Sequence, residues 1–386
     1  MVAPTLRSPR PVGRSPSRER TAPWRHVDVL LLAAVLAISA IGLVMVYSAT
    51  RNQQAVTGIG GTYYLKRQAV FVVVGLAAMG AVMLSDYRHW QDAAPAIYVA
   101  TVLVLVLVVS PLGSTRRGAQ AWFEIGTFQL EPSEFAKAAL IVCVSAYLAA
   151  HRSELDGGRL VFLLSLVAFP LVLIYRQPDL GTAMVLVGIV LTLLLVGGAR
   201  PRHLAALALV GVLGIGAVLQ LGVLKHYQVE RLSAFLDPKG DTQRSTYNLR
   251  QSQIAVAAGG LTGRGVFKGT QTNLSFVPEQ HTDFIFTAVA EELGFVGAFT
   301  LLALFALVVW RTWRAAALAR DRFGLLICVG ALAMFVFQVF ENVGMTMGIT
   351  PIAGIPLPFM SYGGSSTVTN FVVLGLVHNV HMRRFS

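Results

Sequence analysis

The sequence predicts an all-α integral membrane protein of about ten transmembrane helices, and three observations carry that prediction. Hydrophobic residues make up 55% of the 386 and charged residues only 13%, with a mean hydropathy of +0.65, too apolar for a soluble chain of this length. Ten apolar runs recur, each bounded by polar or Gly/Pro-rich connections. Arg and Lys concentrate in alternate connections, as the positive-inside rule requires. The formal charge of +12 is read through that rule. No nucleic-acid motif or Cys/His metal spacing accompanies it, so a nucleic-acid partner is not expected.

Residues 1–26 carry six arginines among Pro and Ser, a composition that buries no core and predicts a disordered basic tail. Residues 27–386 form the membrane domain. The run 29–47 is long for a signal-peptide core and lacks a clear small-x-small cleavage site, so it reads as a retained span. Further runs follow at 68–85, 93–110, 134–150, 160–174, 182–198, 204–224, 284–310, 323–340 and 367–380. An even number of crossings puts both termini on one side, and the arginines make that side cytoplasmic. The outer face then receives 48–67, 111–133, 175–181, the long connection 225–283 and 341–366. A connection of that length is expected to be ordered and functional. Cys143 and Cys328 both fall inside apolar runs and read as core.

Chemistry-bearing residues crowd the outer edge. In VPEQHTDFIFTAVAEELG, a polar run turns directly into an apolar helix. Asp283 there is either a helix cap for Phe284 onward or a working carboxylate. Helical spacing puts Glu291 about 80° and Glu292 about 180° around from it. Glu134 and Lys137 share a helix face at i, i+3 behind Pro132, as an interfacial salt bridge or part of a head-group pocket. As an edge pair in solvent they would contribute about 0–1 kcal/mol. Asp179 lies beside Arg176 in a tight connection where it could simply cap the next helix. The run AGGLTGRGVFKGTQ has Walker-like glycine spacing but Val266 where Lys is needed, so loop flexibility is expected rather than nucleotide binding. Pro351, Pro356 and Pro358 exclude a regular helix throughout 341–366, predicting a re-entrant or irregular segment at a cavity open to the outside.

Taken together, QPDLGTA, GGLTGRGVFKGTQ, VPEQHTDFIF with AEELGF, and GIPLPFMSYGGSS resemble the SEDS family (shape, elongation, division and sporulation). PIAGIPLPFMSYGGSS looks more like its RodA branch than its FtsW branch. The resemblance covers the chain after the tail. It implies a ten-helix bacterial inner-membrane enzyme that polymerises lipid II into glycan strands beside a class B penicillin-binding transpeptidase. Carried over residue by residue, the family's essential aspartate falls on Asp283, and its QPDLG aspartate on Asp179. The PSE-x-x-K residues fall on Glu134 and Lys137, and the arginine of its RQ pair on Arg67. Gln177, Glu279, His281, Thr282, Ser361 and Ser365, from the same motifs, complete the expected substrate-binding set. Members carry Arg before the first outer-loop Trp and again upstream of PSE. This chain has Ala121 and Gln129 there, with Arg116 and Arg117 nearby.

Polymerising a polyprenyl-linked sugar 1-diphosphate requires a base for the acceptor hydroxyl and positive charge for the departing diphosphate. Asp283 is expected to be the base, with Arg67 and Lys137 near the diphosphate. An α-linked donor giving a β-linked polymer needs one in-line inversion and no carboxylate nucleophile. A Mg²⁺ or Mn²⁺ ion would suit carboxylates and phosphates, although no dense ligand cluster is visible. The rival classes are a lipid II flippase and a scaffold. Transport predicts ionisable groups near the midplane, and only Glu291 and Glu292 hint at that.

Overall fold

The computed structural model describes residues 26–57, 61–116, 119–126, 128–151, 155–220 and 244–385, with Val229, Arg231 and Phe235. The tail expected over 1–26 lies, apart from His26, outside the described residues, as do Arg117 and most of 221–243.

Among the described residues, each of the ten apolar runs falls on a helix. They are α1 (Val29–Thr57), α2 (Tyr63–Leu84), α4 (Ala94–Val109), α5 (Pro132–Ala150), α6 (Gly157–Arg176), α7 (Leu180–Val196), α8 (Pro201–Gln220), α11 (Ile285–Ala317), α12 (Arg322–Met347) and α13 (Gly364–Met382). The short α3 (Tyr87–Asp92) fills the turn before α4, and α9 (Arg244–Gly259) and α10 (Thr270–Asn273) order the long connection. Helix starts are marked by aspartates. Asp86, Asp156, Asp179 and Asp321 accept backbone N–H bonds from the first turns of α3, α6, α7 and α12, satisfying donors that a helix leaves open.

Helices α5, α12 and α13 are largely buried at the centre. On α4, α6, α8 and α11, large apolar side chains such as Leu103, Phe162, Val212 and Phe299 stay exposed, the kind of face that a hydrocarbon phase covers.

Polar connections gather at two opposite ends. At one, Arg311 bonds Asp28 at 2.6 Å, Arg88 lies 3.6 Å from Asp321, Arg383 3.7 Å from Asp86, and Arg322 donates to the Gly197 carbonyl at 2.6 Å. At the other, Gln68 reaches the Ser361 carbonyl, the Glu131 N–H reaches Ser365, and Ser252 reaches the Thr346 carbonyl.

Three local features differ from expectation. The connection after α4 contains an antiparallel three-stranded sheet, β1 (Ser114–Arg116), β2 (Ala119–Ile125) and β3 (Phe128–Leu130), with Ser114 opposite Trp122 and Phe123 opposite Leu130. Its strands are too short to stand out in sequence. The irregular segment expected over 341–366 begins only at Gly348, because α12 continues to Met347 and ends on that left-handed glycine.

The third difference is the glycine-rich turn, which is a packing device rather than a flexible loop. Helix α11 breaks at Gly294 (φ 67°), freeing backbone groups that must be paired. The turn supplies them. Arg264 and Gly265 donate to the Glu291 and Glu292 carbonyls, while Phe295 and Val296 donate to those of Gly260 and Leu261. A Cβ on Gly294 would lie 2.2 Å from the Gly263 nitrogen, so contact this close requires glycine.

Candidate active site

Asp283 stands in a tight turn. The Glu279 carbonyl accepts N–H bonds from Thr282, Asp283 and Phe284 at 3.2, 3.1 and 3.4 Å and the Thr282 hydroxyl at 3.1 Å. Ser275 and Glu279 both take left-handed backbone, with φ 55° and 53°. Non-glycine residues hold such conformations only where the surroundings enforce them. Helix α11 begins at Ile285, with Phe284 at the N-cap and no side chain capping it. Asp283 thus stands one residue before the N-cap position of α11. Its partly exposed carboxylate faces Gly354 (φ 74°), where an added Cβ would lie 3.4 Å from Asp283 Oδ2 and 3.9 Å from Arg231 Nη1. Arg231 also reaches the Ala353 carbonyl at 3.4 Å.

Beside this turn, a cavity of about 40 Å³ is lined by Ala49, Ser275, Val277, Pro278, Glu279, Gln280 and His281. The His281 ring packs on Tyr64 and Tyr362, with centroids 5.0 and 5.6 Å away. Tyr64 also meets Tyr362, extending the aromatic wall toward Arg67. The Arg67 guanidinium lies over the rings of Tyr63 and Phe128 and donates to the Tyr63 hydroxyl at 2.5 Å. Burial pushes the Tyr362 hydroxyl up to about 12, against the opposing charge of Arg67.

A second cluster forms where α5 and α7 begin. Lys137 bonds Glu134 at 2.7 Å, and both side chains are buried, at 1% and 6% exposure. The pair is thus not the solvated edge bridge that the sequence allowed. The apolar helices around α5 remove it from water, which makes losing either partner costly. Asp179 caps α7 through the Thr182 N–H at 2.9 Å, as its simpler reading required, yet its Oδ2 is buried without a hydrogen-bond partner. So are Glu134 Oε2 and both amide atoms of Gln177.

Glu131 joins this cluster. Its carboxylate accepts from Trp122 Nε1 and the Ser133 hydroxyl, both at 3.2 Å, and its backbone N–H donates to the Ser365 hydroxyl at 2.8 Å. Burial, then the charges of Asp179 and Glu134, push the Glu131 carboxyl up to about 8 against the pull of Lys137.

Segment 348–363 lies between the clusters. Gly354 faces Asp283, while a Cβ on Gly181, two residues beyond Asp179, would meet the Ala353 carbonyl at 2.9 Å and that of Gly354 at 3.6 Å. Ser361 is occupied internally, its hydroxyl accepting the Leu357 N–H at 2.8 Å. The structure thus brings Glu134, Lys137 and Asp179 together, and groups Glu279, His281 and Thr282 with Asp283. Arg67 connects to His281 through the aromatic wall. Ala121 is buried in β2 and Gln129 lies exposed on β3.

Sequence reading does not single out Glu131, Arg231, Gln68 or Tyr362. The signal for Glu131 was available, one helical turn before Glu134 at the same edge. Among the described residues, no group of three or more His, Cys, Asp or Glu is arranged to hold a metal ion. The carboxylate pocket at α5 already holds the Lys137 ammonium where a cation would sit. That pocket, with its ammonium in place, does not fit a metal.

The raised Glu131 value sets a pH dependence. An ordinary glutamate releases its proton near 4.3. The folded chain keeps the proton up to about 8, so this contribution to stability is complete below about 4.3 and is lost as pH rises through about 8. In thermal unfolding of the purified protein, the parent should lose at most about 1.4 kcal/mol per pH unit from this group across that window. Glu131→Gln should be flatter by that amount. Equal pH slopes for the two proteins would show that Glu131 is ionised throughout.

Relatives match nearly the full length of the described fold. Stage V sporulation protein E of Bacillus subtilis (strain 168) is 37% identical over 92% of this chain and 96% of its own. The probable peptidoglycan glycosyltransferase FtsW of Geobacter metallireducens is 35% identical over 92% and 95%. Among solved structures, a chain described under structural coordination of polymerization and crosslinking by a peptidoglycan synthase complex superposes with a TM-score of 0.79. It shares 31% identity and covers 94% of this chain and 100% of that one. The rod shape determining protein RodA of Thermus thermophilus superposes at 0.70, with 29% identity over 95% and 100%. Matched to the family's pattern from residue 28 to residue 385, the chain belongs to the FtsW/RodA/SpoVE family of cell cycle proteins.

Proposed function

We propose that this chain is a peptidoglycan glycosyltransferase that polymerises lipid II into β-1,4 glycan strands at the outer face of the bacterial cytoplasmic membrane. The observation that carries the reading is Asp283. It is a partly exposed carboxylate in a strained turn just before α11, and an arginine and a cavity stand beside it. Asp283 accepts the proton of the acceptor sugar hydroxyl as that oxygen attacks the anomeric carbon, and the diphosphate leaves from the opposite side. Lys137, Arg67 and Arg231 supply positive charge for the departing diphosphate. Gln177, Asp179, Glu134, Glu279, His281, Thr282 and Ser365 line the substrate path, and Ser361 shapes the segment between the clusters.

The RodA-like PIAGIPLPFMSYGGSS motif supports a role in cell elongation and shape, with a class B penicillin-binding transpeptidase as partner. The synthase complex that contains the related chain supports the same partner. The flippase alternative loses its sequence hint. Glu291 and Glu292 are engaged by amides and hydroxyls of the 267–272 segment and Ser48, so a structural role accounts for both.

The orientation rests on the arginine-rich end being cytoplasmic. Leu261→Cys at the site end should react with a membrane-impermeant maleimide in intact cells, whereas Arg320→Cys should react only after permeabilisation. Cys143 and Cys328 are buried and should stay silent. The opposite pattern would put the site on the wrong side of the membrane for strand synthesis.

Asp283→Asn removes the base and keeps the shape. The variant should fold, insert and bind its partner, while polymerisation of labelled lipid II drops by about 10²–10⁴-fold. More than about a tenth of parent activity would move the base elsewhere.

Because the Glu134–Lys137 pair is buried, Lys137→Met alone leaves an unpaired buried carboxylate, and about 3–5 kcal/mol is at stake. Glu134→Gln with Lys137→Met removes both charges and should restore most of that stability. If Lys137 faces the diphosphate, the double variant melts near the parent temperature yet polymerises at least about tenfold more slowly. A stable and fully active double variant returns the pair to a structural role.

A further inference from the structure

Glu291 lies fully buried in α11, eight residues after Asp283. Its Oε1 accepts the Gln271 N–H at 2.7 Å, and its Oε2 accepts the Thr272 N–H at 2.9 Å and the Thr272 hydroxyl at 2.8 Å. The chain comes so close that a Cβ on Gly269 would lie 2.8 Å from Glu291 Oε2. Glu292 grips the same segment from its other side through the Phe267 N–H at 3.0 Å, and joins it to α1 through the Ser48 hydroxyl at 2.5 Å.

All three partners of Glu291 are donors, which fixes the direction of the bonds that follow. The Thr272 hydroxyl spends its proton on Glu291 and can only accept from Gln280 Nε2, at 3.0 Å. The Thr287 hydroxyl spends its proton on the Phe284 carbonyl at 2.7 Å, so it too can only accept from Gln280, at 3.0 Å. Gln280 therefore has a single amide orientation. It sits between Glu279, whose carbonyl closes the turn that carries Asp283, and His281, whose carbonyl accepts the Tyr362 N–H. Gln280 is 3% exposed, Thr272 1% and Thr287 fully buried, so water does not compete for these bonds.

We propose that Glu291 is a positioning residue for Asp283, acting through Thr272 and Gln280 to hold the 279–283 turn in its working geometry. The inference rests on the reading of Asp283 as the base. Left-handed backbone at Ser275 and Glu279 relaxes when nothing opposes it, and the fixed Gln280 amide next to Glu279 supplies the opposing hold. A base displaced by about 1 Å loses as much as ~10²-fold in rate without touching substrate affinity.

Steady-state polymerisation of labelled lipid II by the purified full-length chain tests this with three variants. Thr272→Val keeps the side-chain shape but removes the hydroxyl. It should lower kcat by roughly tenfold or more, with the lipid II KM held within about twofold. Thr272→Ser restores the hydroxyl and should return kcat to near the parent value, which a loss of packing would not allow. Glu291→Gln sets an NH2 group among donors and should lower kcat at least as far as Thr272→Val.

A Thr272→Val protein with parent kcat overturns the proposal, whether or not Glu291→Gln accumulates as folded protein. So does equal impairment in Thr272→Val and Thr272→Ser. Asp283→Asn, assayed alongside, separates the two readings. If that variant stays active, the base assignment fails and takes this inference with it. If it is inactive while Thr272→Val is unimpaired, only the relay fails.

Discussion

The structure depends on one constraint, that backbone polar groups within a membrane bundle must find partners inside the protein. Prolines and glycines make segment 348–363 irregular and leave its amides and carbonyls without a helical ladder. Buried side chains meet the need. Asn342 donates to the carbonyls of both Asp283 and Ile355, at 2.8 and 2.7 Å. Gln68 donates to the Ser361 carbonyl and accepts the Gly363 N–H, while the Ser361 hydroxyl accepts from Leu357. Because Asn342 serves both Asp283 and Ile355, the irregular segment and the turn that carries Asp283 are positioned together. The break in α11 follows the same logic, with the Gly259–Gly265 turn supplying what Gly294 interrupts.

Charge follows a parallel rule. A buried ionisable group costs several kcal/mol unless paired or neutralised, and the second cluster uses both remedies. Lys137 pairs with Glu134, and Glu131 retains its proton because burial and two nearby carboxylates oppose a further negative charge. What stays unpaired there, the outer oxygens of Glu134 and Asp179 and the Gln177 amide, is the polarity expected where a hydroxyl-rich, charged head group docks. Lys137 and Arg67 stand among buried or aromatic neighbours, which would strengthen their attraction for the diphosphate of the proposed reaction.

The arrangement separates fold from chemistry by depth. Apolar packing of α5, α12 and α13 forms the interior, and the opposite end is closed by aspartate caps and arginine pairs. The proposed chemistry is confined to the end where the sheet, the α9–α10 connection and segment 348–363 meet. Lipid II would bring its head group to that end while its polyprenyl chain remains beside the exposed apolar faces.

The sequence alone determined the class, the positions of the long apolar helices and the motif positions. Hydrophobic run length and arginine distribution are properties of single segments that tertiary contacts do not reverse. It also carried the family, because Asp283, Asp179, Glu134 and Lys137 sit in long ordered motifs. Tertiary structure decided where each of these residues sits. Helix α11 starts one residue later than expected, at Ile285 instead of Phe284, which puts Phe284 and not Asp283 at the N-cap position. Whether Lys137 is a solvated edge residue turned on how deeply neighbouring helices cover α5. Local sequence could not tell the glycine-rich run from a flexible loop, since the groups that order it belong to the helix break at Gly294, well beyond it in the chain.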